Sequence, residues 1–170
     1  MKRVAKFEKV SDQQFLEGWM KAFPESSKEE ATKIYEEIML PLRATSGSAG
    51  YDFFSPLDFS LEPGQSMLIP TGIRSRMEDG WVLMLYPRSG LGFKFRMQLN
   101  NTVGVIDSDY YNSDNEGHIF VRITNDSNEG KMLSVGKGKG FVQGIFMPFG
   151  ITEDDDVSEV RNGGLGSTTK

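Results

Sequence analysis

Apolar positions fall into two regimes along the chain. From Ser11 to Pro41 they recur at helical spacing. Phe15, Leu16, Trp19, Met20 and Phe23 form one stripe that Pro24 ends, and Ala31, Ile34, Tyr35, Ile38 and Met39 form a second before Pro41. Ser11 with Gln14 and Ser27 with Glu30 have the spacing of capping boxes, so each stripe has a defined start. The pattern predicts a helical hairpin over 11–41, its aromatic stripe packed on the main body or on a sister subunit. Val4 to Val10 precedes it as a short strand. From Leu42 onward, short apolar runs at Met67–Ile69, Trp81–Tyr86, Met97–Leu99, Ile119–Ile123 and Phe141–Phe149 alternate with turns rich in Gly, Pro, Asn and Asp. That texture predicts a mainly β chain, a sandwich or jelly-roll barrel carrying an inserted helical hairpin. We expect one domain over 1–170, ending in a Gly-rich arm over 157–170 that has no apolar surface of its own to bury.

Composition narrows the functions this frame can carry. A formal net charge of −5 argues against a general nucleic-acid binder, whose affinity rests on basic surface. An acidic protein that binds a polyanion must gather its basic groups locally or borrow a divalent cation. The absence of cysteine removes disulfides, thiolate metal sites and cysteine nucleophiles together. A single histidine, His118, leaves no room for a histidine metal cluster or a Ser-His-Asp arrangement, and it reads as a strand-end residue. No apolar run reaches the roughly 20 residues of a membrane-spanning helix. The N-terminus has no apolar h-region, so a cytoplasmic location and no membrane partner are expected.

Chemistry concentrates in five stretches. Gly104 to Gly117 reads as a strand turning into a hairpin with a polar tip. Asp107 follows Val105 and Ile106, which predicts a carboxylate partly desolvated at an apolar edge and able to polarise a water. Tyr110, three residues on, can offer its ring to what that water attacks. The same residues also fit an acidic turn that only solubilises a hairpin. Ala44 to Phe53 leads small residues into a strand that contains Asp52. Pro87-Arg88-Ser89-Gly90 places a guanidinium, a hydroxyl and open backbone N–H groups together, which suits phosphate oxygens. Gln143 is one amide in an otherwise apolar strand and needs a partner, for which a bound water is suitable. The fifth stretch is the glycine-rich tail with Arg161.

Taken in order, Leu40-Pro41-Leu42-Arg43-Ala44-Thr45-Ser46-Gly47-Ser48-Ala49-Gly50-Tyr51-Asp52, Pro87 to Gly92 and Val103-Gly104-Val105-Ile106-Asp107-Ser108-Asp109-Tyr110 resemble the motifs of the trimeric dUTP pyrophosphatases (dUTPases), over about Leu40 to Thr169. The resemblance implies hydrolysis of dUTP to dUMP and pyrophosphate with Mg²⁺, in a homotrimer whose sites are shared between subunits. It implies that Asp107 orients the water attacking the α-phosphorus and that Gln143 helps hold that water. Tyr110 is implied to lie under the deoxyribose and exclude a 2′-hydroxyl, and Asn101 to read uracil from a hairpin. Arg88, Ser89 and Gly90 would contact phosphates, and Arg161, Leu165, Ser167 and Thr168 would close over the nucleotide. Mg²⁺ would be held mainly by phosphates and waters, with Asp52 supporting it indirectly.

Several positions depart from the family pattern. Leu165 stands where a stacking phenylalanine is usual, and Gly140 where an arginine is frequent, with Lys137 and Lys139 nearby. Tyr111 to Glu116 lengthens the third motif, and the helices of 11–41 are an insertion that could take a protein partner. A dCTP deaminase-like or bifunctional relative, and a nucleotide-sensing regulatory binding protein, are the alternative readings.

Overall fold

The computed structural model describes residues 1–159, 161 and 163. The expectations for Leu165, Ser167 and Thr168 lie outside the described residues. The chain begins with strand β1 (Ala5–Lys9), then helices α1 (Asp12–Ala22) and α2 (Lys28–Glu36). Ser27 and Glu30 close the predicted capping box of α2 in both directions. At α1 only half of the predicted box forms: the Ser11 side chain accepts from the Gln14 N–H, but the Ser11 N–H goes to Glu116. The helical stripe packs on the chain's own body. Val10, Phe15, Trp19 and Ala31 make a buried cluster, with Phe15 against Trp19 and Tyr35, and Phe15 close over Gly72. Burying each of these large side chains is worth roughly 1.5–3 kcal/mol, so the hairpin is held by its apolar face.

The β part follows as β2 (Tyr51–Phe54), β3 (Phe59–Leu61), β4 (Ser66–Pro70), β5 (Ile73–Met77) and β6 (Trp81–Pro87). Helix α3 (Ser89–Phe95) separates β6 from β7 (Met97–Leu99) and β8 (Gly104–Ile106). A 3₁₀ turn (Ser108–Asn112) leads to β9 (Phe120–Asn125), β10 (Leu133–Val135) and β11 (Gly140–Pro148). Strands β2–β11–β6–β8 form one sheet and β4–β9–β7 another, with two-stranded ribbons β1–β5 and β10–β3, all antiparallel. Non-sequential neighbours such as β2–β11 and β4–β9 are the crossovers of a jelly-roll-like barrel. The core between the sheets holds Phe53, Ile69, Leu83, Leu85, Ile123 and Phe141. Gly144 in β11 is needed for close approach, since a Cβ there would lie 2.8 Å from Leu83 Cδ1.

The segment after Pro87 is helical, with Arg88 as the N-cap of α3. One local expectation is corrected. The strand before Asp107 does not turn into a hairpin, because β8 pairs with β6 and β7 pairs with β9. The turn carrying Asn101 therefore carries the chain from one sheet to the other.

Candidate active site

Sheet pairing brings three of the five stretches into one cavity. Gln143 of β11 lies opposite Asp52 of β2 on one side and Tyr86 of β6 on the other. Arg88 follows directly at the end of β6. A cavity of about 690 Å³ is lined by Asp52, Arg88, Ser89, Gly90 and Gln143, together with the Ala44 to Gly50 segment and Lys139. The Arg88 guanidinium is tethered at two points, Nε to Asp52 Oδ1 at 3.1 Å and Nη1 donating to the Gly140 carbonyl at 3.2 Å. Gly140 leaves the space that this guanidinium fills: a Cβ there would lie 3.0 Å from Arg88 Nη1. An arginine at 140 would start inside that contact. Gln143 Nε2 donates to the Pro87 carbonyl at 3.4 Å, and Gly50 lies close to its Oε1. The arrangement offers an oriented cation, a hydroxyl and one amide to an anionic ligand.

A second cluster sits on β8 and the turn after it. Ile106 faces Leu83, three positions along β6 from the Tyr86 that faces Gln143. At about 3.3 Å per residue this places Asp107 roughly 10 Å or more from Gln143 within one chain. The expected desolvation of Asp107 is not found in the single chain: Val105 is 55% exposed and the Asp107 side chain 49%. The Arg161 guanidinium instead occupies the carboxylate, Nη2 to Asp107 Oδ2 at 2.5 Å, with Nε donating to Asp109 Oδ1 at 3.0 Å. Arg161 also lies 5.8 Å from the centre of the Tyr110 ring.

Tyr110 is almost wholly buried, and its hydroxyl is pinned. It donates to the His118 carbonyl and accepts from Asn115 Nδ2, both at 2.8 Å. Burial raises the pKa of this hydroxyl, so it stays a neutral donor. Ser113 Oγ donates to the Tyr110 carbonyl at 2.7 Å. Asn101 stands exposed on the turn between β7 and β8. Asp109, Ser113 and Asn115 were missed as site residues by sequence reasoning, whereas Lys139, noted there beside Gly140, lines the cavity. The signal available for the three missed residues was the polar density of 107–116; what they bond to required the tertiary structure.

The two clusters hold the expected site residues in separate places, and comparison with known proteins gives the chain a family. A sequence profile of dUTPase matches residues 36–169. The chain belongs to the dUTPase family. The deoxyuridine 5′-triphosphate nucleotidohydrolase of Lactococcus lactis is 46% identical over 134 residues, covering 77% of this chain and 88% of the relative. That of Hahella chejuensis is 42% identical over 144 residues, covering 80% and 90%. The crystal structure of dUTPase from Streptococcus mutans superposes with a TM-score of 0.63 at 34% identity, covering 86% of this chain and 98% of that one. The profile begins at Glu36, the last residue of α2, so the dUTPase match leaves out β1 and nearly all of the helical hairpin.

Proposed function

We propose that this dUTPase hydrolyses dUTP to dUMP and pyrophosphate, and that it does so as a homotrimer with sites shared between subunits. The observation that carries the reading is the division of the site. Asp52, Arg88, Ser89, Gly90 and Gln143 line one cavity, while Asp107, Tyr110 and Asn101 are absent from its lining and the strand register sets Asp107 roughly 10 Å or more from Gln143 in the same chain. A water held by both Asp107 and Gln143 then needs the cavity of one protomer and the turn of another. Symmetric closure brings one such pair together at each interface.

In this reading Asp107 accepts a hydrogen bond from the attacking water and takes its proton as the new P–O bond forms. The bond from the α-phosphorus to the bridging oxygen breaks and pyrophosphate leaves. Arg88, with Ser89 and Gly90, binds the phosphates, and the Asp52 ion pair sets the guanidinium orientation. Among the described residues there is no group of three or more His, Asp or Glu side chains that could cage a metal ion. One carboxylate already paired with a guanidinium fits an Mg²⁺ held by phosphates and waters, with Asp52 accepting from those waters. Bound Mg²⁺ would supply neutralisation of the phosphate charge. Tyr110 lies under the sugar and rejects a 2′-hydroxyl, and Asn101 reads the base. Arg161, held on Asp107 and Asp109 in the free chain, is released to the triphosphate, a stronger anion. No helix among the described residues is long and apolar enough to cross a membrane.

The test is side-by-side turnover of dUTP, dCTP and dTTP with Mg²⁺. Release of dUMP and pyrophosphate from dUTP alone is expected. Deamination or hydrolysis of dCTP at a comparable rate would overturn the assignment.

A further inference from the structure

Two features that the sequence reading sets apart from the family pattern are bonded to each other. The helical hairpin precedes the dUTPase match, and the lengthened third motif runs from Tyr111 to Glu116. Glu116, held at φ +57°, sends its carboxylate to the N-terminus of α1. Oε2 accepts from the Ser11 N–H at 2.8 Å and Oε1 from the Ser11 hydroxyl at 2.6 Å. Glu116 thus completes the cap that Gln14 leaves open. Burial works against its charge, but the two Ser11 donors outweigh it and its pKa is lowered. Arg74 of β5 stands beside this contact, 3.9 Å from Glu116 and 3.7 Å from Glu8, over the Tyr111 ring. The Tyr111 hydroxyl accepts from Arg74 and donates to Glu8 Oε2 at 2.6 Å.

Inside the loop, the two residues that follow Glu116 both reach Tyr110. Gly117, at φ +71°, passes so close that a Cβ would lie 2.8 Å from the Tyr110 carbonyl oxygen. His118, which accepts the Tyr110 hydroxyl on its carbonyl, packs its ring against Phe15 of α1 and accepts the Gly72 N–H on Nε2. The loop is therefore gripped at Glu116 and at His118 by the helical hairpin and its seat.

We propose that the helical hairpin fixes the sugar-facing ring of Tyr110, and that Glu116, clasped to Ser11, is the positioning residue for rejection of ribonucleotides. The proposal rests on the reading of Tyr110 as the sugar-selecting residue. A loosened clasp lets the ring tilt and makes room for a 2′-hydroxyl, so discrimination falls more than turnover of dUTP does.

The experiment measures kcat/KM for dUTP and UTP in Glu116→Ala, Glu116→Gln and Ser11→Ala, with Tyr110→Ala in parallel. Glu116→Ala is expected to lower the dUTP-to-UTP ratio about ten-fold, below the roughly 10²-fold that ångström-scale misplacement can cause. Glu116→Gln, which still accepts from the Ser11 N–H, recovers part of it. Hydrogen exchange in 108–118 quickens in the alanine variant. A purely structural clasp would slow both nucleotides equally, and an unchanged ratio in folded Glu116→Ala overturns the proposal. If Glu116→Ala does not fold, Ser11→Ala carries the same expectation at smaller size, and an unchanged ratio there has the same force. A ratio unchanged in Tyr110→Ala as well shows that the reading of Tyr110 has failed. A ratio relaxed in Tyr110→Ala but not in the clasp variants shows that the clasp alone has failed.

Discussion

His118 makes the fold sensitive to mild acid by an amount that can be worked out. Its ring is fully buried, and Nε2 accepts the Gly72 N–H at 2.9 Å, which puts the imidazole proton on Nδ1. The Nδ1–H is buried without a hydrogen-bond partner beside Gly18, and a second proton would have to go on Nε2, where it would face the Gly72 N–H. Burial therefore lowers the pKa from 6.5 to about 4, and the Glu116 carboxylate offsets only part of this. Because the folded pKa lies below the unfolded one, the unfolded chain binds the proton first as pH falls. Stability is complete above about pH 6.5 and is lost as pH drops towards 4. At about 1.4 kcal/mol per unit, the loss between pH 7 and pH 5 is about 2 kcal/mol. The assay is urea unfolding at fixed protomer concentration across that range, for the natural chain and for His118→Gln, which keeps an acceptor for Gly72. Carboxylates titrate in both proteins, so only the difference between the two curves reports the imidazole. Parallel curves would show that His118 is protonated in the folded protein and would refute the argument.

Three further outcomes follow from the site. Asp107→Asn is expected to lower turnover by roughly 10²-fold or more while retaining binding of a non-hydrolysable dUTP analogue. Mixing it with a chain lacking residues 161–170, under subunit exchange, should restore part of the activity; a fully active monomer would contradict shared sites. Gly50→Ala would put a Cβ 2.6 Å from Gln143 Oε1 and push aside the flexible end of that side chain. We expect kcat to fall on the order of ten-fold with little change in melting temperature, and an unchanged kcat would remove Gln143 from the holding of water.

The sequence by itself determined the elements whose burial repeats locally. Strands β4, β6, β9 and β11 each carry an apolar run, β7 falls on the Met97–Leu99 run, and α1 and α2 each have a serine cap and a stripe on one face. Strand β5 escaped because Arg74, Ser75 and Arg76 interrupt its apolar residues, and it shows only as alternating burial once Ser75 is inside. Strands β3 and β10 are three residues long with an exposed serine between two buried residues, and pair only with each other. Helix α3 carries two glycines in seven residues, against local propensity. It forms where Leu91 and Phe95 pack on the core. The candidate site divides in the same way. The types and order of Asp52, Arg88, Asp107, Tyr110 and Gln143 were readable because each is a polar exception in a constrained stretch. The separation of Asp107 from Gln143, the seating of Arg161 on Asp107, and the clasp of Glu116 to Ser11 were decided only by the tertiary structure. Ser11 and Glu116 are 105 residues apart. Periodicity records which face of a segment is buried. It carries no signal of which distant segment will cover that face, because that partner is chosen only when the sheets close.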